Sequence, residues 1–184
     1  MRGFGNVQIF APADAVECRQ IVDYALRYHG PVYIRLDGKA LPDVHGADYQ
    51  FKPGQVDILR QGADVSIVAL GSVVHEAVDA AALLAEQGIQ AQVINLSSIR
   101  PLQRDVLLSA LSGTRAVISV EEHNVNGGVG SLVAEVLAEA GLGIPLIRLG
   151  IGDGEYAAAG AREPTRALHN IDAAGIVAAA TRLR

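Results

Sequence analysis

Residues 116–132, AVISVEEHNVNGGVGSL, decide how the chain folds, because they join three local signals. Residues 116–120 are a continuous apolar run, which is typical of a buried strand in a parallel sheet. An acidic turn with one histidine follows, and glycines then open a helix predicted over 130–140. A strand that passes through glycines into a helix also occurs in phosphate-binding loops, so a nucleotide site is the first hypothesis.

The glycine turn at 126–130 departs from both common nucleotide-binding motifs. A dinucleotide fingerprint reads G-x-G-x-x-G with an acidic residue about 20 positions further on. Here the glycines read G-G-x-G, and Gly150 and Ile151 lie near the acidic position. A P-loop needs a lysine followed by serine or threonine, and no lysine lies near this turn. The glycines are better interpreted as permitting positive φ and close packing of a helix against a strand.

Strands alternate with helices on both sides of this stretch. Strands are predicted at 65–70, 91–96 and 145–149, helices at 72–88, 101–111 and 173–182, and a loop rich in glycine and alanine at 150–165. The alternation indicates a parallel α/β architecture.

The first 36 residues predict a smaller β-α-β unit. Residues 7–10 and 31–36 (PVYIRL) are strand-like runs, and two such strands joined by a helix should be parallel. Asp14 and Glu17 have the spacing of a capping box at the start of that helix. No period is sustained from residue 37 to about residue 60, so a linker is predicted there, with a short strand or hairpin at 50–59 as the alternative.

Composition narrows the classes of function. Half of the 184 residues are apolar and only 4% are aromatic, which suits a sheet covered by alanine-rich helices. The net charge of −5 argues against a nucleic-acid partner, and the single Cys18 excludes a disulfide framework and a cysteine-based zinc site. No apolar run approaches the roughly 20 residues that cross a membrane, and the N-terminus lacks the pattern of a signal peptide, so a soluble cytoplasmic protein is expected.

Glu121, Glu122 and His123 form the first candidate site. A carboxylate pair beside a histidine can serve acid–base chemistry or bind a metal, yet a solvated turn accounts for the same residues. No other histidine has metal-ligand spacing to this group. Because α/β proteins bind ligands or partners at the carboxyl ends of parallel strands, the three residues are candidates for an interface or a structural turn.

Arg35 and Lys39 form the second candidate site. They follow the strand at 31–36 together with Asp37, and basic residues at the carboxyl end of a strand can bind an anionic substrate. A surface loop of mixed charge is equally compatible with this sequence.

Four blocks of the chain resemble one known family. The blocks are QIFAPADAVE at 8–17, GPVYIRL at 30–36, VSIVALGSVVHEAVDAAALLAEQGIQAQVINLSSIRPL at 65–102 and VEEHNVNGGVGSLVAEVLAE at 120–139. In order and spacing they resemble the C-terminal part of transketolase, most of all the split form in which this half is a separate chain. Deoxyxylulose-phosphate synthase and the β subunit of 2-oxo-acid dehydrogenase E1 share the same layout.

The resemblance implies a division of the chain. Residues 1–42 resemble the end of a pyrimidine-binding domain that is incomplete here, residues 43–63 form a linker, and residues 64–184 resemble the C-terminal domain. That domain is expected to be a three-layer α/β fold, with helices on both faces of a mainly parallel five-stranded sheet. An incomplete first sheet exposes an unpaired edge, so self-association or a partner is expected.

The resemblance also implies a chemistry, which is two-carbon ketol transfer between sugar phosphates. Thiamine diphosphate and Mg are expected only in a completed assembly, because the family's metal and diphosphate motif belongs to another domain. The glutamate and the aromatic residue that engage the pyrimidine precede the block at 8–17 in the family. We therefore expect no catalytic, cofactor-binding or metal-binding residues in this chain and no activity by the chain alone. A homodimer, a separate N-terminal thiamine-binding subunit, or both are the expected partners.

The resemblance bears on Arg35 and Lys39 as well. In an alignment without gaps, the family's arginine for the substrate phosphate falls on Gly38, with Lys39 beside it. Lys39 would supply a point charge without the bidentate fork of arginine, and Arg35 matches another family arginine whose role is structural. The rival hypotheses are a non-catalytic oligomerisation or regulatory module, a fragment of a 2-oxo-acid dehydrogenase β subunit or of a deoxyxylulose-phosphate synthase relative, and an independent nucleotide-binding protein.

Overall fold

Two sheets organise the protein, whose structure, a computed structural model, describes residues 1–154 and 160–183. The strands of these ranges are β1 (Gln8–Phe10), β2 (Val32–Ile34), β3 (Asp57–Arg60), β4 (Val65–Ala69), β5 (Ala91–Asn95), β6 (Ser98–Arg100), β7 (Ala116–Asn124) and β8 (Leu146–Ile151). The helices are α1 (Ala15–Arg27), α2 (Val74–Glu86), α3 (Arg104–Ser112), α4 (Val129–Glu139), α5 (Arg162–Leu168) and α6 (Ala173–Thr181). None of these described helices has the length and apolar character needed to cross a membrane.

The larger sheet has the strand order β3-β5-β4-β7-β8 within the described ranges. β5, β4, β7 and β8 run parallel to one another, and β3 is antiparallel at one edge. β4 and β5 are buried along their whole length, as their apolar sequences indicate. The predicted fold class, with its mainly parallel five-stranded sheet, is confirmed.

Helices cover both faces of this sheet, and the alternation of side chains along each strand decides which face a residue contacts. Ile67 of β4 belongs to an apolar cluster that also contains Leu84 of α2 and Ile176 of α6. Val68, the next residue, belongs to a second cluster with side chains of α3 and α4, such as Leu107. The architecture therefore has three layers, with α2 and α6 on one side of the sheet and α3 and α4 on the other.

The smaller sheet has the order β2-β1-β6. β1 and β2 are parallel, as the β-α-β interpretation predicts. β6 follows β5 after two residues and pairs antiparallel with β1, so the chain passes directly from one sheet to the other. The outer edge of β2 pairs with no strand in the part of the chain that the structure describes.

Three segments differ from the sequence-based expectations. β3 lies inside the range 43–63 predicted as a linker, at the end of the stretch 50–59 where a short strand is the alternative. Its residues DILR are all only half-buried, so no apolar run marks it. The helix predicted from residue 101 begins at Arg104, because residues 98–100 extend to pair with β1. Helix α5 begins inside the predicted loop at 150–165, of which residues 155–159 lie outside the described residues. The division into domains at residues 42 and 63 stays a prediction.

Candidate functional site

The candidate residues meet at a junction, which we define as the contact between the five-stranded sheet and the N-terminal unit. The N-terminal unit comprises β1, α1 and β2, and the crossing segment, residues 35–56, leads from it to β3. Two neighbouring hollows lie at this contact. They are lined by the segments that follow β1, β2 and β4 and by the end of β7. The junction is therefore formed at the carboxyl ends of strands from both sheets, where α/β proteins place their sites.

Glu121 caps helix α4 rather than facing solvent. Its side chain is 1% exposed, and its two carboxylate oxygens each accept a hydrogen bond at 3.0 Å, one from the N–H of Val129 and one from that of Gly130. These N–H groups belong to the first turn of the helix and lack partners within it. Burial raises the pKa of Glu121 above its usual value and outweighs the opposing effect of these hydrogen bonds. The carboxylate therefore holds the end of β7 and the start of α4 together.

The glycine turn is shaped by the same carboxylate. A Cβ atom on Gly128 would lie 1.5 Å from Oε2 of Glu121, and one on Gly130 would lie 2.6 Å from Oγ of Ser119. Gly127 has a φ of +80°, in the left-handed region that favours glycine. The expectation of positive φ and close helix–strand packing is therefore confirmed within this turn.

Glu122 holds a buried arginine from α5. Its Oε2 accepts hydrogen bonds from Oγ of Ser72 and, at 2.9 Å, from the guanidinium of Arg166. Arg166 is only 2% exposed and also donates to Oε1 of Glu76 at 3.1 Å and to the carbonyl oxygen of Ser72 at 2.7 Å. Burial and the nearby Arg166 charge lower the pKa of His75, whose Nε2 lies 3.2 Å from the same guanidinium. A buried cation is thus shared between two carboxylates.

Two arginines tie the crossing segment to this network. Arg35, just after β2, donates to the backbone carbonyl of Glu122 at 2.7 Å. Arg162 of α5 forms an ion pair with Asp37, and its Nε lies 3.8 Å from Oε1 of Glu122. The start of the crossing segment is therefore held against the end of β7 by charged groups from three separate parts of the chain.

The structure brings most of the predicted site residues together, but not Lys39. Arg35, Glu121 and His123 line a hollow of about 280 Å³, whose floor is apolar, and Arg35 and Glu122 line an adjacent hollow of about 190 Å³. The His123 side chain is 53% exposed. Lys39 lines a different hollow, beside Cys18 and the start of α1.

A second polar cluster, which the sequence analysis missed, lies beneath the crossing segment. Glu17 is fully buried, and its carboxylate accepts hydrogen bonds from the residue before the N-cap of α1, from the crossing segment and from the chain around β5. The donors are the N–H of Ala13 at 2.8 Å, Oη of Tyr49 at 2.7 Å, Nδ2 of Asn95 at 3.1 Å and Oγ of Ser97 at 2.6 Å. The capping-box pattern predicted the local bond from the N–H of Glu17 to Asp14, but it could not predict these distant partners.

His45 completes the cluster. Its Nδ1 lies 2.7 Å from Oδ2 of Asp14 and its Nε2 lies 2.8 Å from Oδ2 of Asp57 in β3. The ring packs on Tyr49 with the ring centres 3.9 Å apart. We call Asp14, Glu17, His45, Tyr49 and Asp57 the buried clamp, because they join the N-terminal unit, the crossing segment and the larger sheet.

The candidate carboxylates do not fit the cofactor that the resemblance implies. Glu121 already accepts hydrogen bonds from a helix start, and Glu122 is bonded to Arg166 and Ser72. Among residues 1–154 and 160–183, no group of three or more His, Cys, Asp or Glu side chains is placed to hold a metal ion. These two carboxylates are therefore engaged by the protein's own groups rather than placed to bind a magnesium ion.

The fold and the junction define a class of α/β proteins in which a mainly parallel sheet with one antiparallel edge strand packs against the end of a β-α-β unit. Within this class the chain belongs to the transketolase C-terminal domain family, whose profile, described as "Transketolase, C-terminal domain", matches residues 54–176. The resemblance seen in the sequence is confirmed.

The similarity extends to individual proteins. An apulose-4-phosphate transketolase subunit of Actinobacillus succinogenes is 60% identical over 177 residues, which is 96% of this chain and 57% of that protein. The 1-deoxy-D-xylulose-5-phosphate synthase of Thermomicrobium roseum is 42% identical over 157 residues, which is 83% of this chain and 25% of that protein. A solved structure described as "Split gene transketolase, inactive beta4 tetramer" superposes with a TM-score of 0.93 at 39% identity and covers 100% of this chain and 59% of the other. The chain thus spans little more than half the length of these split-type relatives.

Proposed function

We propose that the chain is the C-terminal part of a thiamine-diphosphate-dependent, transketolase-type enzyme that transfers a two-carbon ketol unit between sugar phosphates. The observation that carries this proposal is the 60% identity, over 96% of the chain, to an apulose-4-phosphate transketolase subunit. That relative is longer than these 184 residues, and Glu121 and Glu122 are engaged by the protein's own groups. In this proposal the cofactor is bound outside residues 1–184, including by a separate thiamine-binding subunit, and the assembly is cytoplasmic.

The chain's own contribution in this proposal is to fix the segment after β2. Arg35 lies at the rim of both junction hollows, and its hydrogen bond to the Glu122 carbonyl sets its position. We propose Arg35 rather than Lys39 as the cation that faces a sugar phosphate, because Lys39 lines a separate hollow. The substrate class that we favour is a ketose phosphate, in keeping with the name of the Actinobacillus relative.

A reconstitution assay tests this function. The chain is combined with the companion subunit of the Actinobacillus relative, and ketol transfer is measured with apulose 4-phosphate and other ketose phosphates. We expect turnover that requires both polypeptides, thiamine diphosphate and Mg. The proposal fails if a stable complex of the two polypeptides shows no ketol transfer, or if the chain alone turns over ketose phosphate.

A second candidate function is assembly into homo-oligomers, for which the edge of β2 is the supporting observation. This edge has no partner strand among the described residues, and the nearby Leu26 and Leu36 are 80% and 60% exposed. An unpaired edge beside exposed apolar side chains favours association, and the similar solved structure is described as a β4 tetramer. Light scattering tests this candidate: we expect a dimer or larger species, and a monodisperse monomer would contradict it.

A further inference from the structure

The imidazole of His45 lies between two carboxylates in the interior of the protein. Its side chain is 3% exposed, and those of Asp14 and Asp57 are 0% and 20% exposed. Each ring nitrogen lies within 2.8 Å of a carboxylate oxygen. Because the ring has no exposed edge, water cannot replace these two carboxylates as its hydrogen-bond partners.

This geometry sets the protonation state of the ring. A neutral imidazole has one N–H donor and one bare nitrogen, whereas an ionised carboxylate only accepts hydrogen bonds. Asp14 is held as an anion, because its oxygens also accept from the N–H groups of Glu17 at 2.8 Å and of Val44 and His45 at 2.9 Å. Both nitrogens of His45 can donate only when the ring is the doubly protonated cation.

The groups that face His45 come from every element packed around it. Asp14 and Glu17 lie on the start of α1, Asp57 on β3, and Tyr49 in the crossing segment itself. Burial opposes the charged ring, but the hydrogen bond to Asp57 and the charges of Glu17 and Asp14 outweigh it, so the pKa of His45 lies above its ordinary value.

The pKa of Asp14 is shifted in the opposite direction to that of His45. Burial raises its pKa, but the three backbone hydrogen bonds and the His45 charge together hold the pKa of Asp14 below its usual value.

We propose that the buried clamp holds the crossing segment and the N-terminal unit against the five-stranded sheet only while His45 carries its second proton. Loss of that proton leaves one nitrogen lone pair facing a carboxylate lone pair inside the protein, which is repulsive. The crossing segment then detaches from Asp14 or Asp57. Because the segment also carries Arg35 and Asp37, its release loosens the junction.

The direction of the pH dependence follows from linkage. A histidine with a raised folded-state pKa contributes its full stabilisation below the ordinary value of about 6.5 and loses it as pH rises through the folded-state pKa. The clamp is therefore closed in mildly acidic solution and opens towards alkaline pH. The stabilisation that ionised Asp14 contributes is lost only at acidic pH, as the pH falls through the lowered pKa of Asp14.

Hydrogen exchange on the full chain tests the proposal. The amides of Val44 and His45 donate to Asp14 and report directly on the clamp, whereas those of Ile67 and Val68 in β4 report on the sheet. Protection factors, corrected for intrinsic exchange, are followed from pH 6 to pH 10. We expect the first pair to lose protection on the order of tenfold, the effect of giving up a hydrogen bond to a charged group, while the β4 pair keeps its protection.

Two variants make the test specific. Asp57→Asn supplies an amide donor that suits the neutral ring, so the pH dependence at Val44 and His45 should disappear while the fold is retained. His29→Gln, at an exposed position beyond α1, should preserve the wild-type profile. The ring nitrogens of His45, followed by NMR, should both be protonated at pH 6, and the ring should titrate above the ordinary value of about 6.5. The proposal is overturned if protection at Val44 and His45 is flat with pH in the wild type, if Asp57→Asn loses protection as the wild type does, or if the ring titrates below that value.

Discussion

The interior of the five-stranded sheet and the junction beside it bury side chains of opposite character. Ile67 and Val68 are fully buried among apolar neighbours, while Glu17 and Arg166, which are 0% and 2% exposed, are buried among hydrogen-bond partners. Apolar packing stabilises in proportion to the area removed from water, at about 25 cal/mol per Å². A buried charge stabilises only when all its partners are present. The sheet therefore supplies stability, and the junction supplies a fixed geometry that depends on each partner and on protons.

The largest effect is expected at Glu17, within the junction. Glu17→Leu removes the acceptor for Tyr49, Asn95 and Ser97, and each buried donor left without a partner costs about 1–3 kcal/mol. The free energy of opening the junction should fall by more than roughly 3 kcal/mol. Native-state hydrogen exchange should show lost protection in β1 and the crossing segment and retained protection in β4. Glu17→Gln, which keeps one acceptor oxygen, should lose less protection. If Glu17→Leu lowers protection in β4 as much as in β1 and the crossing segment, the junction does not open separately from the sheet.

The next effect is expected within the sheet. Ile67→Ala leaves a cavity between the sheet and the α2 and α6 layer, which costs about 2–5 kcal/mol. Denaturant unfolding should show this loss, and its size should stay constant between pH 6 and pH 9, because no titrating group is involved. Leu83→Ala, at a 43% exposed site on α2, is the matched control and should change stability much less. A pH-dependent loss for Ile67→Ala would show that the two regions are not separable.

The smallest loss of stability is expected at the glycine turn, where the five-stranded sheet meets the junction. Gly128→Ala forces the Glu121 carboxylate away from the start of α4 and should cost about 1–3 kcal/mol, as overpacking does. Thermal unfolding measures the loss. Gly143→Ala adds a methyl group with nothing within 4 Å and should stay within about 0.5 kcal/mol of the wild type. If the two variants are equally stable, Glu121 does not hold the turn.

The sequence predicts the sheet far better than the junction, for a physical reason. Strands such as β4 and β7 carry their burial in a local apolar run, and the capping box at Asp14 is a contact over three residues. By contrast, Glu17 meets Asn95 across 78 positions and Glu122 meets Arg166 across 44, and no local period records such pairs. β3 is predicted only as an alternative to a linker for a related reason, since a half-buried edge strand lacks an apolar run.

The candidate site shows the same contrast. The acidic turn follows a parallel strand, and this local fact is enough to predict its place at the carboxyl edge of the sheet. The turn does not show which partner each carboxylate takes: Glu121 accepts from the N–H of Gly130, nine residues away, and Glu122 accepts from Arg166, 44 residues away. Arg162 and Arg166 belong to α5, which begins inside the stretch predicted as a loop, so their role could be found only from the structure.

Titration calorimetry tests most directly whether residues 1–184 are a scaffold whose thiamine site, as we propose, is completed by protein outside them. Thiamine diphosphate is titrated, with Mg present, into the chain alone and into its complex with the thiamine-binding subunit. We predict no saturable heat with the chain alone and saturable, Mg-dependent binding with the complex. Tight, Mg-dependent binding of thiamine diphosphate by the chain alone would contradict the account.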